Sequence, residues 1–242
     1  MQRAIETQRL RLASSEVEDR RDAVMKLGWM KRPEASRVAA LALNDPSEVV
    51  RATATTAVLS LPPEEAAGLL LPLLKDKREF VRQEAAYALG HTRSVSAVGS
   101  LIVVLESDKQ PGVRGAASVA LGQIGDQAAA PALAAALDPN SALSRSTRRK
   151  KEDNEFVRRA SARSLGQVGS RVGVPALIAV LGDEKASDDL RRESARSLGL
   201  IGDASAVPAL RAVLTVQDPT LSFLAFEALR KMTASQNSPP PS

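Results

Sequence analysis

Apolar residues recur along this chain in helical registers that repeat themselves. In the stretch FVRRASARSLGQVGS (156–170), Val157, Ala160, Ser161, Leu165 and Val168 fall three and four residues apart, the spacing of one buried helix face. The stretch DLRRESARSLGLIGD (189–203) repeats that frame 33 positions later. With Arg158 as the anchor, its counterparts are Arg20, Arg51, Arg82, Arg114 and Arg191, separated by steps of 31, 31, 32, 44 and 33 residues. A seventh copy, LSFLAFEAL, has Ser222 where the arginine would stand. Fixed-period similarity of this kind marks stacked supersecondary units.

Each copy follows an earlier helical pattern, at 64–74, 96–105, 128–137, 172–181 and 204–214. Pro131, Pro175 and Pro208 sit near the starts of three of them, where a missing N–H costs little. Gly125-Asp126, Gly169-Ser170 and Gly202-Asp203 punctuate the turns: glycine closes one helix and the polar residue caps the next. The unit is therefore helix–turn–helix. One pair cannot bury its apolar face alone, but a stack of pairs can. The pattern predicts an all-α, right-handed α-solenoid (superhelix) of about seven helix pairs spanning 1–233, followed by a disordered tail at 234–242, ASQNSPPPS.

The 44-residue step breaks the period. The extra residues predict a loop insertion at 138–152, and Arg145, Arg148, Arg149, Lys150 and Lys151 make it basic. It reads as a solvated loop or as a docking element for an acidic surface.

The phrases VRRASARSLGQVG, VGVPALIAVL and ASAVPALRAVL resemble the HEAT-repeat family, in particular its short bacterial phycobilisome-lyase HEAT-like type. The resemblance covers nearly the whole chain and implies the fold; the repeat hosts many unrelated tasks and implies no single function. It also implies a ladder between an acidic residue in each turn and the arginine of the second helix. Asp45 with Arg51, Asp76 with Arg82 and Asp108 with Arg114, all six residues apart, fit that role. The anchor arginines are thus assigned to structure.

Composition narrows the chemistry. Of 242 residues, 44% are hydrophobic but only 2% aromatic, so the core must be built from Ala, Leu and Val. There is no cysteine, which excludes disulfides and thiolate metal sites. A single histidine, His91, leaves no two-histidine metal site, no His-Glu motif like those of the HEAT-type iron hydroxylases, and no marked nucleophile beside it. No catalytic residue, cofactor or metal is expected. Apolar runs are too short to span a bilayer and no signal peptide is visible, so a cytoplasmic protein is expected. The formal charge of +5 is mild and interspersed, which argues against nucleic acid, although the HEAT-like alkylpurine DNA glycosylases are similar in size and basic balance.

One register carries candidate chemistry. Positions one, five and nine after the anchor arginine hold the only Trp, Tyr and His: Trp29, Tyr87 and His91. Further along they hold Arg159, Arg163, Arg192 and Arg196. The resemblance implies that second helices line the concave surface of the solenoid. Aromatic and arginine side chains dominate protein-recognition hot spots, so this register is the expected partner-binding site. The expected function is a monomeric, non-catalytic scaffold whose partner protein carries an acidic segment. A tetrapyrrole-handling protein related to phycobilin lyases or phycobilisome-degradation factors is the alternative, with nucleic-acid binding third.

Overall fold

The computed structural model describes residues 1–138 and 151–236. Among them are fourteen α-helices and no strand. In chain order they are α1 (Gln2–Arg11) and α2 (Val17–Trp29); α3 (Pro33–Ala39) and α4 (Glu48–Ala57); α5 (Pro63–Leu70) and α6 (Glu79–Thr92); α7 (Val98–Ser107) and α8 (Pro111–Ile124). They continue as α9 (Ala130–Ala135) and α10 (Lys151–Val168); α11 (Val174–Gly182) and α12 (Asp188–Ile201); α13 (Val207–Ala212) and α14 (Pro219–Gln236). Each first helix packs on the second helix that follows it, and each second helix packs on the second helices before and after. The result is two parallel layers around one continuous core of Ala, Leu and Val. Helix α10 begins at Lys151, inside the span expected as a loop, and α14 runs to Gln236, past the expected end at 233. Arg145, Arg148, Arg149 and Lys150 of the basic insertion, and residues 237–242 of the tail, lie outside the described residues.

The turns follow the sequence signals. Gly125 and Gly202 adopt left-handed φ of 78° and 74° after α8 and α12. The Asp126 and Asp203 carboxylates then accept the N–H of Ala128 and Ser205 two residues on. After α6 the left-handed position is filled by Arg93, at φ 55°, without a glycine.

What sets the spacing of the second helices is the absence of side chains between them. Counting from the anchor arginine, position eight is Gly28, Gly90, Gly122, Gly166 and Gly199, and position six of the next second helix is Ala57, Ala120, Ser164, Ser197 and Ala228. A β-carbon at Gly90 would stand 2.7 Å from the Ala120 Cα, at Gly166 2.9 Å from the Ser197 Cα, and at Gly199 2.7 Å from the Ala228 Cβ. These are closer than real β-carbons come, so the glycines permit an approach that alanine would block. From α4 to α12, positions three and four are also small and buried, and Ser118 Oγ meets Ser161 Oγ across the α8–α10 interface at 2.9 Å. In the second repeat Leu59 takes the glycine position, and the α4–α6 step is the most sparsely packed of the six between second helices.

The ladder exists, with different partners from those the six-residue spacing suggested. Each carboxylate binds the arginine one repeat earlier: Arg20 to Asp45 at 2.7 and 3.0 Å, Arg51 to Asp76 at 2.8 and 3.0 Å, and Arg82 to Asp108 at 2.7 and 3.1 Å. The arginine six residues on donates to the backbone carbonyl of the same aspartate, as Arg51 does to Asp45 O at 2.8 Å and Arg82 to Asp76 O at 2.9 Å. The reason is local. Each aspartate also caps the N–H two residues ahead, from Ser47, Arg78 and Gln110, all at 2.8 Å. That turn aims the carboxylate back toward the preceding repeat and leaves the carbonyl for its own helix. Beyond α8 the pattern changes: Arg158 and Arg191 donate to the Leu137 and Leu181 carbonyls.

Two consequences are measurable. Gly199→Ala is expected to destabilise by about 1–3 kcal/mol through overpacking, although alanine is the better helix former. Gly68→Ala, on an open face of α5 with no atom near its β-carbon, is expected to stabilise by about 0.5–1 kcal/mol. Equal effects in thermal melts would remove the interlock as the cause of the helix spacing.

The second consequence concerns pH. Burial pushes the Asp45 and Asp76 carboxyls up, but the hydrogen bonds from Arg20 and Arg51, those from the Ser47 and Arg78 backbone N–H groups and the nearby positive charges together outweigh it and hold both below the usual range. A lowered folded value means stability that is complete above the unfolded-state value near 4 and lost as pH falls through the folded value. Stability is therefore expected to drop as pH is lowered below about 4. Asp76→Asn is expected to remove about 3–5 kcal/mol near neutrality, by stranding the buried Arg51, and to flatten that acid limb. A mutant retaining the same acid limb as the parent would assign it to other groups.

Candidate partner-binding surface

From α4 to α12 the second helices bury positions three, four and six after the anchor arginine between neighbouring repeats, and position eight is the contact glycine in all of these but α4. What remains for solvent on that side of the stack is the flank at positions five and nine. Trp29 ends α2 with 71% of its surface exposed, and His91 on α6 is exposed. Tyr87 is half-buried against the core; burial, together with the nearby Glu84 charge, pushes its hydroxyl pKa up. Arg163 on α10 and Arg196 on α12 are exposed, and neither takes part in an ion pair among the described residues. They hold the same position on consecutive helices, so their Cα atoms are about one interhelical distance apart, roughly 8–10 Å.

Position one behaves differently because it faces the following repeat. On α8 it is Gly115, where a β-carbon would lie 2.0 Å from the Phe156 ring. On α10 it is Arg159, whose Nη1 sits 3.3 Å from Asp189 at the start of α12. On α12 it is Arg192, whose guanidinium grips both Asp218 oxygens at 2.9 and 3.1 Å before α14. Asp188 and Asp189 add to its negative surroundings. The Asp218 hydrogen bond raises the Arg192 pKa, and the Arg192 hydrogen bond lowers that of Asp218. Arg192 therefore takes the carboxylate-pairing role of the ladder in the last step. Of the four arginines in the expected site, two have their charge engaged within the fold and, among the described residues, two do not.

The surface is graded. Met25 and Trp29 make its N-terminal end apolar, Tyr87 and Val119 carry it through the middle, and Arg163 and Arg196 make it basic beyond. Glu84, one turn before Tyr87, was not singled out from sequence. It is half-buried, and burial alone pushes its carboxyl pKa up. The signal was its position, two after the anchor, where α8 and α10 carry Ala116 and Ala160. Phe226, 55% exposed on α14, was also missed. Among the described residues no three His, Cys, Asp or Glu side chains are grouped to hold a metal ion, and no helix is long and apolar enough to cross a membrane.

Comparison with known proteins agrees with this architecture. Models of HEAT repeats match residues 7–90, 68–149 and 174–240, and the model of the PBS lyase HEAT-like repeat matches residues 157–183. A comparison of the sequence with curated proteins finds no match. Among solved structures the chain is similar to YibA of Escherichia coli, with 18% identity over 96% of this chain and 82% of that one at a TM-score of 0.65. It is also similar to the complex of CpcE and CpcF of phycocyanin lyase from Nostoc sp. PCC7120, with 22% identity over 96% of this chain and 92% of that one at a TM-score of 0.56. At these identities the likeness is one of fold.

The division among the arginines can be tested by stability alone. Arg192→Ala is expected to lower the melting temperature, because it strands the Asp218 carboxylate. Arg163→Ala is expected to leave the melting temperature unchanged within error, as for exposed side chains without partners. Equal losses for the two would mean that Arg163 is also held by the fold.

Proposed function

This chain belongs to the HEAT-repeat family, and from that premise we propose that it is a non-catalytic scaffold that holds a segment of a partner protein along the exposed flank of its second helices. Packing supports the choice of flank. Second helices interlock through glycine and alanine, whereas consecutive first helices touch at few points. A stack whose layers differ in spacing curves toward the tighter one, which puts the second helices on the inner curve. Such concave surfaces are what solenoids offer to partners.

The observation that carries the reading is the Arg163–Arg196 pair. On neighbouring helices whose other arginines meet carboxylates or backbone carbonyls, these two stay exposed and, among the described residues, without counter-charge. Two unscreened guanidinium groups about one helix apart suit an acidic stretch of chain, since arginine binds carboxylates in a bidentate fork. Trp29 and Tyr87 offer apolar anchorage toward the other end. The partner segment would thus be mixed, aliphatic or aromatic at one end and acidic at the other. In affinity capture from the native host, Arg163→Glu with Arg196→Glu is expected to lose the specific partners at an unchanged melting temperature. An unchanged partner set would place the site elsewhere.

A second reading has a specific basis. The segment matching the PBS lyase HEAT-like repeat contains Arg163, and two arginines are the charge complement of the two propionates of a linear tetrapyrrole. A shift in the absorbance of an added bilin, abolished by the same double substitution, would favour it over protein capture.

A further inference from the structure

The two ends of the stack are finished differently. At the N-terminal end, position six of α2 is Lys26, where every later second helix has alanine or serine. Lys26 pairs with Asp22 at 2.8 Å, and Arg11 of α1 binds both Asp22 and Asp19. Charge thus fills the face that would receive a preceding repeat, and α1 packs on α2 beside it.

On the last helix pair the face that would receive a following repeat is apolar and, among the described residues, uncovered. Positions one, four and eight of a second helix meet the next repeat, as the Gly115, Ser118 and Gly122 contacts with α10 show. On α14 those positions are Phe223, Phe226 and Arg230. Position four is fully buried in all six earlier second helices: Val24, Thr55, Ala86, Ser118, Ala162 and Ala195. Phe226 is instead 55% exposed and Phe223 60%. Beside them, Val207, Leu214 and Leu229 line a groove of about 860 Å³ between α13 and α14. A helix face that only meets water is polar; this face of α14 presents Phe223 and Phe226 instead.

We propose that the C-terminal end is a second docking site, distinct from the concave flank, and that its occupant is an amphipathic helix of another protein with an apolar stripe between acidic flanks. Shape excludes an ordinary next repeat, because two phenylalanines stand where the interlock needs small residues. Charge selects the rest. Arg211 and Arg230 border the groove; among the described residues Glu227 pairs with Arg230 at 2.8 Å, and Arg211 is exposed and takes part in no ion pair. A second copy of this chain would oppose basic rim to basic rim if tail met tail, and head to tail it would press the charged N-terminal cap onto phenylalanine.

The test uses the full chain and two synthetic amphipathic helices of about 18 residues, leucine-striped, one flanked by glutamate and one by lysine. By fluorescence anisotropy the glutamate peptide is expected to bind at least about tenfold more tightly than the lysine peptide. Phe226→Ser is expected to weaken it at least about tenfold with helicity intact, and Arg211→Glu to reverse the preference between the peptides. Arg163→Glu with Arg196→Glu is expected to leave this binding untouched, which separates it from the concave site. Equal affinity for the two peptides, or full affinity in Phe226→Ser, would overturn the proposal. So would a concentration-dependent dimer in sedimentation that Phe226→Ser abolishes, since the occupant would then be a second copy.

Discussion

From α6 onward, consecutive second helices in this chain lie too close for a β-carbon at the point of contact, and most of the architecture follows from that. Glycine at position eight rests on alanine or serine at position six of the next helix. The close approach needs the small residues at positions three and four as well, which explains a chain rich in alanine and nearly without aromatics. Close packing of this kind forfeits little dispersion energy despite the small side chains, because many backbone atoms come into contact. It also partitions each helix surface. Some positions are committed to the preceding repeat, some to the following one, and the remainder to solvent. The exposed register is what the stacking leaves over.

Electrostatics then reinforces the same direction of stacking. The aspartate ladder runs from each turn to the arginine of the repeat before, so every rung joins two repeats rather than closing one. Its carboxylates and guanidinium groups are largely buried, and each also meets backbone groups. Buried pairs of this kind contribute less to net stability than their geometry suggests, but removing one partner is heavily destabilising. The ladder is therefore better understood as fixing register between repeats. Where it reaches the C-terminal repeats the role passes from the anchor arginine to its neighbour Arg192, which withdraws that residue from the surface.

The helix pairs were legible in the sequence because they rest on periodicity and on turn residues: the duplicated SARSLG frame, Gly125, Gly202 and the capping aspartates all do what their types imply. The exposure of Trp29, His91, Arg163 and Arg196 was legible for the same reason, since position on a helix fixes facing. The partners of charged side chains were not. The six-residue spacing of Asp45 and Arg51 is real, but it joins a carbonyl to a guanidinium; the carboxylate pairing is between repeats and depends on how a capped turn aims its oxygen. Arg159 and Arg192 could not be told from Arg163 and Arg196 without knowing that position one faces the next repeat. Phe226 was hidden for want of the same knowledge about position four.

The spacing claim is directly measurable, and the absence of cysteine makes labelling clean. Spin labels placed at Arg163→Cys and Arg196→Cys report the separation of α10 and α12 by electron paramagnetic resonance. Gly166 lies in that interface, with its β-carbon position 2.9 Å from the Ser197 Cα. Adding Gly166→Ala is expected to lengthen the distance between the labels by about 1 Å, since packed backbones must separate to admit a methyl group. An unchanged distance with unchanged stability would contradict the account, because the helices would then be held apart by something other than the missing side chain.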